Sequence, residues 1–268
     1  MTQQTLPDDW DTSSHEDFYK YYEQQSLSPQ TLERFRLTTE MLLRQRQGAA
    51  AKTALNILDV GCGAGSQSRF WLERGHHYSG LDINAPLIQL ARRRAEIEQL
   101  DASFEVGTAT ALPWADASMD VCLLPELLEH VQDWESCVKE AIRVLRPDGL
   151  LYINTSNRLC PIQQEFNLPA YSWYPAPLKR HFERRAVTDK PALVNFAKYP
   201  AVNWFSFYQL RKYLDERGLD SLDRFDIVDL ASKSGTGRAV FKAMRSSAPL
   251  RLIGQMITPY TLVVARKR

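Results

Sequence analysis

From Leu55 to Val60 a short apolar run ends at Gly61-Cys62-Gly63-Ala64-Gly65, and a helical pattern follows over about Ser66–Arg74. A strand that stops at a glycine-rich turn and feeds a helix commits the chain to a parallel, buried sheet, because such runs are apolar on both faces. Glycine is needed where the backbone turns tightly or lets a ligand approach with no Cβ in the way. Dinucleotide dehydrogenases place their glycines as GxGxxG, whereas here the third glycine comes one residue early and Ser66 stands at the dehydrogenase position.

The rhythm continues downstream. Tyr78–Asp82 reads as a second strand, Pro86 opens a helix through Leu87, Leu90, Ala91 and Ala95, and Ser103–Val106 reads as a third strand. Asp120–Leu124 is a fourth, the Trp134–Leu145 helix carries an apolar face, and Pro147-Asp148-Gly149 turns into a fifth over Leu150–Asn154. A helix near Ser206–Arg217, a strand near Phe225–Leu230 and a last strand over Thr261–Ala265 complete a set of seven. Strands alternating with helices imply βαβ units with right-handed crossovers and helices on both faces. The expected fold class is therefore α/β, a doubly wound, mostly parallel seven-stranded sheet of Rossmann-like type. Ligands in such sheets bind beyond the carboxyl ends of the strands.

Two segments fall outside the rhythm. Residues 1–50 are expected to form a helical cap, with Ser28 and Pro29 starting a helix that Leu32, Phe35, Leu42 and Leu43 line and Gly48 ends. The main domain then covers 51–268, with residues 157–205, rich in Pro, Tyr and Trp, as a lid inserted after strand five. Its Phe166, Tyr171, Trp173 and Tyr174 either roof a flat or apolar acceptor or pack the insertion onto the domain.

Charge is nearly balanced, 33 Lys+Arg against 32 Asp+Glu, which gives no push toward nucleic acid. No stretch reaches the roughly 18 apolar residues of a membrane span. The polar, acidic start, Met1–Asp11, is unlike a secretion signal, and the expected location is cytoplasmic. Cys62, Cys122, Cys137 and Cys160 lie far apart without metal-ligand spacing, so they read as reduced thiols and no metal is expected. Residues 231–256 hold Lys233, Arg238, Lys242, Arg245 and Arg251 and no acid, interleaved with Val240, Phe241, Leu252 and Ile253. That segment reads as a solvated helix face or as a peripheral contact with the inner face of a membrane.

Asp82 ends the second strand 21 residues after Gly61, where a carboxylate can accept hydrogen bonds from both hydroxyls of a ribose, or else serves as a helix cap or turn acid. Asp59 is expected either to meet a ligand or to hold the amides of the glycine turn. His130 follows strand four at the carboxyl edge, where a neutral imidazole can take a proton, or else packs a turn. Glu126 and Glu129 either orient it, bind acceptor hydroxyls, or are solvated. His76 and His77 lie away from that edge and read as surface residues.

Asp59-Val60-Gly61-Cys62-Gly63-Ala64-Gly65, Gly80-Leu81-Asp82, Ala111-Leu112-Pro113-Trp114, Leu128-Glu129-His130-Val131 and Leu145-Arg146-Pro147-Asp148-Gly149-Leu150 stand in an order that resembles class I S-adenosylmethionine (SAM)-dependent methyltransferases of the ubiquinone and menaquinone type. The resemblance covers roughly 55–155. It implies SAM as cofactor, with Gly61, Cys62, Gly63 and Gly65 along its methionine part and Asp59 near its ammonium. It also implies Asp82 at the ribose, Ile83 against the adenine, Thr108 and Ala109 at the adenine edge, and Leu124 facing the sulfonium. Many relatives carry an acid at the Thr108 position, so this chain departs there. The acceptor implied is a small molecule, a quinone-like or lipid-linked compound methylated on oxygen with His130 as base. The alternatives are methylation on carbon or nitrogen, and SAM binding without turnover.

Overall fold

The computed structural model describes residues 16–46, 54–194 and 201–268. Met1–Asp11, Gly48 and residues 195–200 of the expected lid lie outside them. Two helices come first, α1 (Glu16–Gln25) and α2 (Pro29–Gln45). Ser28 caps α2 by accepting from the Thr31 amide, with Pro29 at its first turn, as the sequence predicts.

The sheet then builds through β1 (Asn56–Val60), α3 (Ser68–Leu72), β2 (His77–Asp82), α4 (Ala85–Ile97), β3 (Ala102–Val106), β4 (Met119–Pro125), α5 (Trp134–Val144) and β5 (Leu145–Ser156). The remainder is α6 (Ala176–Thr188), α7 (Phe207–Asp215), β6 (Leu219–Asp223), α8 (Gly235–Ser246), α9 (Ala248–Met256) and β7 (Tyr260–Lys267). The strands lie in the order β3-β2-β1-β4-β5-β7-β6, with β7 antiparallel to both neighbours and every other pair parallel. Strand order reverses between β1 and β4, so the carboxyl ends of these two strands open onto the crevice where such sheets take ligands.

Successive side chains of a strand point to opposite faces, and β4 shows this directly. Cys122 and Leu124 join one core with Leu58, Val60, Val138, Ala141 and Leu210, beneath α5 and α7. Val121 and Leu123 join the other with Ile57, Trp71, Tyr78, Ile88 and Leu42, beneath α2, α3 and α4. A third cluster of Phe166, Tyr171, Ala186, Ala201 and Trp204 holds the post-β5 segment together, with the Phe166 and Tyr171 rings stacked at 3.9 Å. Those aromatics therefore pack the segment itself, while Trp173 stays half exposed and donates its indole N–H to the Leu159 carbonyl.

One expected strand is displaced. Residues 225–230 are not a strand; β6 is Leu219–Asp223 instead. The buried Asp223 carboxylate accepts from the amides of Phe225 (2.8 Å) and Asp226 (3.1 Å), a local turn that ends pairing just before the apolar run.

Candidate functional site

The glycine turn leaves β1 with Gly61, Gly63 and Gly65 all at positive φ. Gly65 has no alternative: a Cβ there would lie 2.6 Å from the Phe104 ring, so the turn packs flush on β3. Gly80 in β2 is equally constrained, by the Cys62 Sγ 2.7 Å from where its Cβ would stand. Cys62 thus fills the gap between turn and β2, a packing role, and burial raises its thiol pKa well above the ordinary value.

The carboxylate that holds the turn is Asp82, not Asp59. Asp82 Oδ2 accepts the Gly63 amide at 2.8 Å and Oδ1 accepts the Asn84 amide at 2.9 Å, while the amides of Gly61 and Cys62 are both taken by the Leu81 carbonyl. Burial raises the Asp82 pKa, and the amide bonds from Asn84, Gly63 and Ile83 work against that. Each carboxylate oxygen carries two acceptor sites, so these bonds leave capacity for a ligand's hydroxyls.

Asp59 is 2% exposed. Its Oδ2 accepts from the Tyr78 hydroxyl at 2.5 Å, and its Oδ1 is buried with no partner. Burial, opposed by the Tyr78 bond and reinforced by the Asp82 charge, pushes its pKa up to about 7. An unpaired buried carboxylate oxygen is costly, and a cationic donor is what satisfies it.

Around the turn stand two residues that sequence patterning missed. The Tyr22 ring of α1 comes 3.3 Å from where a Cβ on Gly63 would be, and Leu127 Cδ1 comes 3.0 Å from that of Gly61. Arg94 of α4 fixes the α1–α2 corner there, donating to the Glu23 carbonyl (2.7 Å) and to the hydroxyls of Ser26 and Ser66. Ile83 is 43% exposed beside Asp82, Ala109 is buried, and Thr108 is exposed with its hydroxyl 2.8 Å from that of Thr110. Leu124 is wholly buried in the core beneath α5; Leu127, three residues on, is the side chain that reaches the turn.

Beyond β4 lies a group of acids whose surroundings differ. Glu126 adopts φ 52°, a left-handed conformation rare for a residue with a side chain, and its carboxylate pairs with Arg34 of α2 at 2.5 Å. Glu129 is buried rather than solvated; it accepts from the Thr155 hydroxyl at 2.7 Å, and burial pushes its pKa up to about 8. Glu165, from the post-β5 segment, is pushed to about 7 by burial and the Glu126 charge. Among the described residues no carboxylate is hydrogen-bonded to the His130 imidazole. Its backbone amide bonds the Leu127 carbonyl, and burial alone lowers its imidazole to about 4. The turn that carries it is strapped from outside: Asn203 donates to the carbonyls of Leu128 (3.2 Å) and Val131 (2.6 Å), and the amides of Val202 and Asn203 bond the Glu129 carbonyl.

His76 and His77 sit at the amino edge of β2, away from all of this; His77 is exposed, whereas His76 Nδ1 accepts the Leu55 amide. Among the described residues no group of three or more His, Cys, Asp or Glu is placed to hold a metal ion.

Comparison with known proteins bears on this geometry. The family described as methyltransferase domain matches residues 58–153, which run from β1 into β5. A ubiquinone biosynthesis O-methyltransferase of Idiomarina loihiensis is 30% identical over 178 residues, 61% of this chain and 70% of that protein. The chain belongs to the SAM-dependent methyltransferase family. A malonyl-[acyl-carrier protein] O-methyltransferase of Serratia marcescens is 33% identical over 99 residues, 37% of each chain. The chain spans 44% of the length of several other curated relatives. Among solved structures, an S-adenosylmethionine dependent methyltransferase from Mesorhizobium loti shares the fold with a TM-score of 0.53 at 18% identity, over 84% of this chain and 96% of that one.

The family's cofactor is SAM, and the residues fit it. The partnerless Asp59 oxygen calls for a cation such as the SAM ammonium, Asp82 retains acceptor capacity for a diol, and the half-exposed Ile83 offers an apolar surface for a base.

Proposed function

We propose that this protein transfers the methyl group of SAM to an oxygen of a small acceptor, a quinone-like or lipid-linked compound. The observation that carries the cofactor half of this reading is the buried Asp59 oxygen without a partner beside the glycine turn. The oxygen acceptor is supported by the names of two relatives with different acceptors, both O-methyltransferases. Family membership makes C- or N-methylation, or binding without turnover, the alternatives to exclude.

In this reading Gly61, Cys62, Gly63 and Gly65 form the floor under the methionine part, and Asp59 binds its ammonium. Asp82 binds the ribose, Ile83 packs on the adenine, and Thr108 and Ala109 meet the adenine edge. Thr108 contributes less than an acid would, because a neutral hydroxyl is the weaker acceptor. Leu124 acts from behind, as the core residue that supports the methyl position. Tyr22 and Leu127 move off the turn as the cofactor loads. Residues 1–50 thus act as a cap and 157–205 as a lid over the acceptor.

SAM supplies the activated methyl group, so the chain's own task is alignment, worth up to roughly 7–11 kcal/mol for ideal geometry. It must also remove a proton from the acceptor oxygen. His130, lowered to about 4, is in its free-base form throughout the neutral range. It is a weak base toward a phenol near pKa 10, so proton removal runs together with methyl transfer rather than ahead of it. Glu129, pushed to about 8, is the better-matched group if it meets the acceptor. At saturating SAM the pH–rate profile separates them: a His130 base keeps the rate level down to about pH 4, whereas a Glu129 base loses rate as pH falls below about 8.

The expected setting is the cytoplasm, and among the described residues no helix is long and apolar enough to cross a membrane. The membrane contact expected of 231–256 stands on its own surface, described below. The deciding experiment incubates the protein with isotopically labelled SAM and cell extract, then finds the heavy product by mass spectrometry. A labelled O-methyl product supports the proposal. Label on carbon or nitrogen replaces it with the corresponding transfer, and SAM binding with no S-adenosylhomocysteine formed replaces it with a binding protein.

A further inference from the structure

Helix α9 is packed inside out. Its inward side carries Arg251, Gly254 and Gln255. Arg251 makes a two-pronged ion pair with Asp226 (2.6 and 3.2 Å), Gln255 Nε2 donates to the buried Asp223 carboxylate at 3.0 Å, and Gly254 lies so close to Phe225 that a Cβ would come within 2.5 Å of its ring. Its outward side carries Leu250, Leu252, Ile253 and Met256, followed at the helix end by Ile257. At 100° per residue these five fill about half the circumference with apolar side chains. All five are exposed, Ile253 at 55% and Ile257 at 66%. A surface helix ordinarily does the reverse.

Next to it, α8 buries none of its residues and exposes Val240 at 47%. Lys233, Arg238 and Lys242 are exposed along the same segment, and 231–256 contains no acid to neutralise them. Two further cations are committed inward, Arg245 donating to the carbonyls of Phe225, Asp226 and Val228 and Arg251 holding Asp226. The exposed Arg238 donates to the Leu230 carbonyl at 3.2 Å and keeps its charge without an acid partner within 231–256. What is left facing outward is therefore apolar surface flanked by cations.

We infer that the outer face of α9, with the exposed cations of α8, docks on an anionic phospholipid bilayer, α9 lying in the interface with Leu252, Ile253, Met256 and Ile257 in the acyl boundary. The charge selects this occupant: apolar side chains favour the boundary and Lys/Arg favour anionic headgroups. A two-fold pairing of copies through the same face would set Lys233, Arg238 and Lys242 against their equivalents. The position is also apt. α9 runs through Thr258 and Pro259 into β7, whose Tyr260 pairs with Ser156 at the carboxyl end of β5 and donates to Gln164 in the post-β5 segment at 3.1 Å. The face therefore borders the edge of the sheet where an acceptor held in a membrane would arrive. The docking itself does not depend on what reaction the site performs.

The test is cosedimentation of the full chain with phosphatidylcholine vesicles, with and without about one third phosphatidylglycerol, at low and high salt. The wild type is expected to sediment with the anionic vesicles, in a salt-sensitive manner, and not with the neutral ones. Ile253→Asp/Ile257→Asp, at exposed positions that leave the fold intact by circular dichroism, is expected to abolish binding. Lys233→Gln/Arg238→Gln/Lys242→Gln is expected to weaken it on the order of a hundredfold, given the contribution of each basic residue at such a surface. Equal sedimentation of all three proteins, or equal binding to neutral and anionic vesicles, overturns the inference. So does a wild type that ignores vesicles but forms a dimer that the Ile253→Asp/Ile257→Asp variant splits, which assigns the face to a second copy.

Discussion

Two sets of acids lie at the carboxyl edge of the sheet, and they are built on opposite plans. At the cofactor edge, the bonds to Asp59 and Asp82 among the described residues span at most 19 residues of chain, and one oxygen of Asp59 is left open. At the acceptor edge, Glu126 is answered by Arg34 from 92 residues away, Glu129 by Thr155, and the turn between them by Asn203. The first is a local device for a ligand of constant shape. The second is assembled from α2, β5 and the segment before α7, so its chemistry changes whenever any of those elements changes. The difference teaches where specificity resides: the cofactor side is a motif, the acceptor side a meeting of distant parts.

The sharpest division between the edges comes from His130→Ala. Turnover is expected to fall about a hundredfold to ten-thousandfold while SAM affinity, read by calorimetry, stays unchanged. Full activity in this variant would remove His130 from the chemistry and erase the division of labour. Asp82→Ala is the converse, expected to weaken SAM binding on the order of a hundredfold, because both the diol contact and the Gly63 anchor are lost. Unchanged affinity would break the cofactor assignment.

Smaller, and specific to the cofactor edge, is a pH effect. Asp59, raised to about 7, holds a proton below that pH, and the SAM ammonium needs the ionised form. Affinity should therefore fall about tenfold per unit as pH drops below about 7, and level off above it. Titrating binding across that range checks it, and Asp59→Asn should flatten the dependence. The smallest effect belongs to Arg34→Ala. The pair it makes with Glu126 is half exposed, so thermal unfolding should register a loss of only about 0.2–1 kcal/mol. A larger loss would show that α2 secures the acceptor edge more tightly than an exposed ion pair can.

How much of this was readable beforehand follows the same line. The strands β1 to β5, the glycine turn and the cap Ser28 are written in short stretches of chain, so periodicity and turn chemistry reveal them. β6 was not, because Leu219–Asp223 is a sheet-edge strand with only two apolar residues, three apart and out of strand period, while the more apolar Phe225–Leu230 is diverted by the Asp223 turn. For Asp59 the sequence leaves both a ligand contact and the amides of the turn open, and only three-dimensional packing shows that it is Asp82 that faces the Gly63 amide. Arg34, Tyr22 and Asn203 had no local signature at all; each acts on a partner far along the chain. The basic, acid-free composition of 231–256 was visible, but not that α9 turns its polar side inward, which depends on the acids of the 223–226 turn.

The Asn203 strap has an evolutionary corollary. A substitution that reshapes the end of the post-β5 segment to admit a new acceptor also pulls on the three carbonyls that keep the His130 turn in register. Substrate range and rate are thereby expected to shift together in such a variant. Grafting residues 157–205 from a relative should transplant acceptor preference only when an amide side chain survives at the graft's trailing junction.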